Sequence, residues 1–322
     1  MEPSANRNRT APMLSRFSSR LIDNIPAHIN AKWRLKSLRK QLHEGYHLSE
    51  FDHHYLRYRT AGRGQFHLVF AADPPVTLEC YDSLIRELSP RYRISVLELP
   101  GFGYSFPKHN FDFAFDHCVD DLANVLMHWR SGPYVLAFPC ASAFFSLALA
   151  QRYPALVSHI AMMQAPDWQQ EQHWKQRLDP KSLLRTPGIG QLLMKATQQK
   201  VARDWLGYAS NTPAFTEQAR PHITNQLHKG GCYCLASALQ SSLPQKSPEL
   251  GGITQPAMMI YGDQDRSHRK TDFNTIRLYS DDIRVQAIPG AGHFPELEYP
   301  QQFSRLIDQL LVNSGVHSTA IS

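Results

Sequence analysis

No stretch of this 322-residue sequence stays apolar for the ~20 residues that a membrane-spanning helix needs, which excludes a helical membrane protein. The first 30 residues also lack the apolar run of a secretory signal. Cysteine is scarce: Cys80, Cys118, Cys140, Cys232 and Cys234 make an odd five without framework spacing. That excludes a disulfide scaffold and points to free thiols in a reducing compartment, the cytoplasm. Cys232-x-Cys234 has no matching second pair, so the usual zinc-ligand spacings are absent and no metal is expected. Acidic residues are short as well, 28 against 34 Lys and Arg, but the imbalance is local. Residues 1–50 carry nine basic and four acidic side chains, a surplus of five out of the six for the whole chain. The remainder is near neutral, and a nucleic-acid-binding surface is not indicated.

What is present is organised around Tyr134–Pro154. Tyr134–Phe138 is an apolar run of the length of a buried strand. Ala143–Tyr153 is a buried helix by composition, closed by Pro154. Only Pro139-Cys140-Ala141-Ser142 lies between them, so the chain must turn sharply and lift Cys140 above the sheet edge. The backbone N–H groups that follow are the free donors of a helix N-terminus, which sets an anion site beside a nucleophile. Cys140 also has a plainer reading, a small buried hydrophobe.

Around this stretch, strands and helices alternate: strands at 53–60, 66–71, 92–99, 134–138 and 157–164, helices at 81–88, 116–130 and 143–153. The alternation implies βαβ units and a mainly parallel sheet. From Asp167 to about Gly252 the pattern becomes helical, with Trp168, Trp174 and Trp205; strands resume at 256–261 and 283–288, and a helix over 301–312 closes the chain. Residues 1–28 read as mostly disordered. Residues 29–43 read as a helix with Ala31, Leu35, Leu38 and Leu42 on one face and basic residues on the others. It reads as a solvated helix packed on the core, as a helix for a membrane surface or an acidic partner, or, third, as a transit peptide.

Parallel strands bring their C-terminal ends to one edge of the sheet, where ligands of open α/β sheets bind. Asp265 follows strand 256–261, with Asp263 as its rival, and His293 follows strand 283–288 in Gly290-Ala291-Gly292-His293. A thiol attacks as thiolate; a His can take its proton, and a carboxylate behind the His fixes the tautomer. A helix N-terminus and an imidazole together are expected to lower the Cys140 thiol.

The turn around Cys140 resembles the nucleophile elbow G-x-S-x-G of the α/β-hydrolase superfamily, with Phe138 and Ser142 at the glycine positions. Pro100-Gly101-Phe102-Gly103-Tyr104-Ser105, with Glu98 ahead of it, and the Gly290–Pro300 stretch resemble two further family motifs. The order nucleophile, acid, His is also that of the family. The resemblance spans about residues 51–315. It implies an α/β-hydrolase fold, with a mostly parallel central sheet flanked by helices and an inserted helical cap. The expected organisation is a basic extension over 1–50, a core over 51–166 and 253–315, the cap over 167–252 and a flexible tail over 316–322. The implied chemistry is cleavage or transfer of an acyl group (ester, thioester or lactone) by Cys140, His293 and Asp265 on a small-molecule acyl substrate, without cofactor. For the oxyanion, the resemblance points to the Ala141 N–H and to the Asp73 position. Pro74, the next residue, has no N–H, and Asp73 would bring negative charge. A degenerate member that binds a ligand or partner without turnover is the alternative.

Overall fold

The computed structural model describes residues 13–312 apart from Gln41 and Gln245. The tail expected at 316–322, and the first twelve residues of the segment read as disordered, lie outside the described residues. Strands β1 (Tyr46–Glu50), β2 (Tyr55–Ala61), β3 (His67–Ala72) and β4 (Arg93–Glu98) form one half of the sheet. The two-residue β5 (Phe102–Gly103) follows, then β6 (Tyr134–Pro139) and β7 (Val157–Met163). After a helical segment that includes the short β8 (Cys232–Tyr233) come β9 (Ala257–Gly262) and β10 (Arg284–Ile288). The eight-stranded order is β1-β2-β4-β3-β6-β7-β9-β10. Strands β4, β3, β6, β7, β9 and β10 are parallel, and β1 and β2 are antiparallel.

The central strands are apolar on both faces, as a sheet covered on two sides requires. Leu68, Phe70 and Ala72 of β3 face one apolar layer, which includes Leu84 and Leu88 of α2 (Asp82–Leu88) and Phe303 and Ile307. Val69 and Ala71 face the other, built by α3 (Phe115–Trp129) and α4 (Ala143–Arg152). The β1 hairpin strand, YHLSE, escapes a sequence reading because it is a half-buried edge with little apolar content. At the strand-end loop after β4, Gly103 has φ +62, and a Cβ there would fall 2.1 Å from the Glu98 carboxyl carbon. Glu98 holds this loop by accepting from the Tyr104 N–H at 2.7 Å and from Arg57 at 3.0 Å. Phe102 of the loop then pairs with Tyr233 in the small β5–β8 ribbon, which ties the loop to the segment between β7 and β9.

That segment contributes α5 (Trp168–Leu178), α6 (Ile189–Ala209), α7 (Pro213–His228) and α8 (Leu235–Ser241). Two short elements, α9 (Pro295–Glu298) and α10 (Pro300–Val312), close the fold. No helix among the described residues is long and apolar enough to cross a membrane.

The N-terminal reading needs one correction. Helix α1 spans Met13–Lys40, so residues 13–28 are helical rather than disordered. Its buried positions, Ser19, Asp23, Asn24, Ala27, Ala31 and Leu35, keep helical spacing, but the first three are polar and hide the pattern. They are recruited by tertiary bonds: Asn24 Nδ2 donates to the Phe111 carbonyl at 2.5 Å, and Ser237 donates to Asp23 at 2.7 Å. Helix α1 rests on α6 and α8, with Lys32, Arg34, Lys36, Arg39 and Lys40 outward. If this seating holds in solution, Leu35→Asp lowers the thermal midpoint by roughly 5–10 °C. Trp33→Asp, at a position 80% exposed, leaves it within about 1 °C. Equal shifts in a thermal melt would show that α1 is not docked on the core.

Candidate active site

Directly after strand β6, Cys140 has φ 50, a left-handed backbone that a non-glycine residue adopts only when its surroundings hold it there. The turn Cys140–Ser142 is closed by the Ser142 hydroxyl, which donates to the Pro139 carbonyl at 2.5 Å, and α4 starts at the next residue. Phe138 is fully buried in the layer under α3 and α4. The turn forms with this residue at the glycine position. Cys140 is 4% exposed, yet it lines a cavity together with Ala141.

The same edge carries the ends of β3, β7, β9 and β10, and their side chains meet over Cys140. His293 Nδ1 lies 2.6 Å from Asp265 Oδ2. Its Nε2 lies 3.2 Å from Asp73 Oδ2. Ligand atoms of Cys140, His268 and His293 all fall within 4.8 Å of one another. The sequence-based set Cys140, Asp265 and His293 is therefore brought together, and Asp265 rather than Asp263 is the acid at His293. Asp263 instead accepts from the Gly290 N–H at 2.8 Å and holds the loop before His293. Asp73 enters through its carboxylate, which occupies the place where the family resemblance looks for a donor.

Several supporting residues carry no local sequence signature. Asp265 Oδ1 accepts from the Ser267 N–H and hydroxyl, both at 2.8 Å, and Oδ2 accepts from Gln164 Nε2 at 2.7 Å. Gln164 follows β7 with φ 50, and its place at the end of a parallel strand was the one clue to it. Trp174 of α5 donates to Ser267 at 3.2 Å and lies parallel to His268 and His293, with ring centres at 4.9 and 6.1 Å. Trp205 of α6 meets the His293 ring edge-on at 5.3 Å. Glu171, one turn before Trp174, is completely buried, and both its carboxyl oxygens lack a hydrogen-bond partner among the described residues.

The electrostatics follow from burial and charge. Burial opposes the Asp265 carboxylate, but the His293 charge and hydrogen bond hold it down to about 2. Burial likewise opposes a charged His293, and attraction to Asp265 and the hydrogen bond to it, together with the close approach of the Asp73 carboxylate, raise it well above its ordinary value. Burial pushes Glu171 up to about 8, with His293 pulling it down and Asp73 raising it. Cys140 corrects the sequence expectation. Burial first, then the Glu171 and Asp73 charges, push its thiol up, outweighing the contact with His293. The resting state is a thiol beside an imidazolium. A metal at the Cys140–His268–His293 group would have to displace the His293 proton, since a protonated imidazole has no lone pair to give.

The cavity above Cys140 has a volume of about 260 Å³. Its walls are largely apolar, including Leu56, Phe102, Phe113, Val125 and Phe145 from the core side and Leu184, Val201 and Leu239 from the segment between β7 and β9.

Residues 74–300 match the alpha/beta hydrolase fold family, well over half of the chain. The chain belongs to that family. It is 24% identical over 244 residues to a pimeloyl-[acyl-carrier protein] methyl ester esterase of Nitrosomonas europaea, covering 71% of this chain and 89% of that protein. Among solved structures it resembles epoxide hydrolase A from Mycobacterium thermoresistibile, with a TM-score of 0.69, 16% identity and coverage of 83% of this chain and 98% of the other. A thermophilic esterase from Thermogutta terrifontis superposes with a TM-score of 0.60 at 18% identity, again over 83% and 98% of the two chains.

Glu171 yields a test of this electrostatic arrangement. Between its ordinary value of 4.5 and about 8, the unfolded chain has lost the proton while the folded protein keeps it. The folded state binds more protons in that window, so the group's contribution to stability falls as pH rises through it. Glu171→Gln removes the dependence. Its thermal midpoint relative to the parent is expected to be several degrees higher near pH 8 than near pH 5, at about 2–4 °C per kcal/mol. A difference that stays constant between the two pH values would place the carboxyl in contact with water.

Proposed function

We propose that this chain is a hydrolase that cleaves the ester or thioester of an apolar acyl group through Cys140, with His293 and Asp265 completing the triad and the helices between β7 and β9 acting as the cap. The observation that carries this reading is the His293 ring held between Asp265 and Asp73 directly at the elbow cysteine, on the floor of an apolar cavity. Family membership and the esterase activity named for the Nitrosomonas relative favour the same reaction class.

The chemistry must start from a protonated thiol. The imidazolium passes its Nε2 proton to Asp73, and the freed nitrogen takes the Cys140 proton as sulfur attacks the acyl carbon. The S–C bond forms and the carbonyl π pair moves onto oxygen. Asp73, now an acid, donates a hydrogen bond to that oxyanion beside the Ala141 N–H, as a carboxylic acid kept neutral in an apolar site can do. When the carbonyl re-forms, the leaving alkoxide or thiolate departs with a proton from the site. Water then attacks the acyl-enzyme by the same route, releasing the acid and restoring the thiol. Asp73 thus serves as proton acceptor and oxyanion donor, and its lack of a following N–H at Pro74 is no obstacle.

One observation favours the non-catalytic alternative: a carboxylate facing the oxyanion position, together with a thiol pushed up by burial, is also what a ligand-binding member would show. Intact-mass analysis after incubation with activated esters and thioesters separates the two. The catalytic reading expects an acyl adduct that is lost in Cys140→Ala, little turnover in Cys140→Ser, and a fall in kcat of about 10²–10⁴ in Asp73→Asn. No adduct from any ester or thioester would leave the binding role. Faster turnover in Asp73→Asn would make Asp73 a lock on His293 and remove it from the mechanism.

A further inference from the structure

The cavity holds a second polar site away from Cys140. His54 and Asp121 both line it. His54 immediately precedes β2, which runs antiparallel to β4, so it lies at the same sheet edge as Cys140. Between β2 and β6 stand β4 and β3, and three strand spacings of about 4.8 Å put His54 roughly 14 Å from the elbow along that edge.

His54 is 1% exposed. Its ring is stacked on Phe51 with centres at 5.2 Å and faces the edge of Phe111 at 6.0 Å. Its Nδ1 stands 3.6 Å from Asp121 Oδ2, too far for a direct hydrogen bond. Asp121 Oδ1 is already engaged by His53 Nδ1 at 3.1 Å. Both His54 ring nitrogens and Asp121 Oδ2 have no hydrogen-bond partner among the described residues. Three further polar side chains of the wall are occupied: Lys175 donates to the Leu243 carbonyl, Asp179 accepts from the Leu183 N–H, and Ser242 donates to the Phe113 carbonyl. Buried polar atoms are normally paired, so these three ask for a ligand group.

The chemistry of the pair selects that group. A hydroxyl accepts from an imidazole N–H while donating to the carboxylate, and its oxygen can lie within hydrogen-bond distance of two atoms 3.6 Å apart. A carboxylate would face Asp121, and a methyl would leave all three atoms unpaired. We propose that His54 and Asp121 recognise a hydroxyl on the distal part of the acyl chain, so that the substrate is an otherwise apolar, hydroxylated acyl ester or thioester. This specificity rests on the acyl-cleaving reading of Cys140.

Calorimetric titration of Cys140→Ala, which binds without turnover, tests it independently of catalysis. The probes are methyl esters of ω-hydroxy fatty acids of increasing length around decanoyl, beside their alkyl and ω-carboxy counterparts. At the best length the hydroxy ester is expected to bind about tenfold or more tightly than the alkyl ester, because a site built for a hydroxyl rejects its absence. The ω-carboxy ester should bind more weakly than the alkyl ester. Adding His54→Phe or Asp121→Asn should abolish the hydroxyl preference while the alkyl ester still binds, which also confirms that the variant is folded. No preference at any length, persistence of the preference in both variants, or tighter binding of the ω-carboxy ester would overturn the proposal. Because no turnover is involved, a hydroxyl preference in a protein that never forms an acyl adduct would refute the hydrolase reading alone. An adduct without the preference would refute this site alone.

Discussion

The edge of the sheet is arranged around one buried imidazole. Burial by itself would keep His293 neutral. Asp265 at 2.6 Å and Asp73 at 3.2 Å reverse that and hold a cation in a buried place. Each carboxylate arrives from a different strand, β9 and β3, while the histidine follows β10 and the cysteine follows β6. The clamp therefore forms only if the parallel register is right across five neighbouring strands, from β3 to β10. A one-residue slip anywhere in that set would turn a side chain to the other face of the sheet. The site is in this sense a report on the whole sheet, and the Asp265 network of Ser267 and Gln164 fixes the geometry from behind.

The ionisable groups pull the fold in opposite directions. Asp265, held down to about 2, stabilises the protein above its ordinary carboxyl range, and that contribution is lost as the pH falls toward the folded value. His293, raised well above its ordinary value, contributes fully below that ordinary value and loses the contribution as pH rises through the folded one. Glu171 works the other way, because its carboxyl has burial without a hydrogen bond to compensate. Such an acid is tolerated beside Cys140 only while it keeps its proton, since a further anion would stand next to Asp73.

How much of this could be read in the sequence depends on the range of the interaction. The central sheet strands were legible because apolar runs of strand length need only their own neighbours. Cys140 was legible because the absence of a loop between strand and helix is itself a geometric statement. Asp265 and His293 were legible because parallel strands share one edge. Glu171, His268 and Trp174 were not, since they reach the site from packing that no local pattern encodes. Helix α1 was read too short for a related reason: Ser19, Asp23 and Asn24 sit on its buried face, and a polar residue on a buried face looks like a break in amphipathicity until its partner is known. For Asp73 the position and its negative charge were legible, but not its partner. Its carboxylate meets His293 across the sheet edge, a contact between the ends of β3 and β10 that no local pattern encodes.

The charge count at the elbow connects these observations to the proposed reaction. One imidazolium is set against two carboxylates, so the site already carries excess negative charge before the thiol is considered. A resting thiolate would add to it in a buried place, and Cys140 accordingly stays protonated. In an ordinary triad the histidine takes the nucleophile's proton and becomes the cation. Here the cation exists beforehand, so the proton must travel one group further, to a carboxylate. Asp73 is the acceptor within reach of Nε2, and protonating it converts the one feature that repels an oxyanion into a donor for it. The same transfer that activates sulfur thereby removes the electrostatic objection to the tetrahedral intermediate, which is why an acid in place of a backbone donor is compatible with acyl chemistry at this elbow.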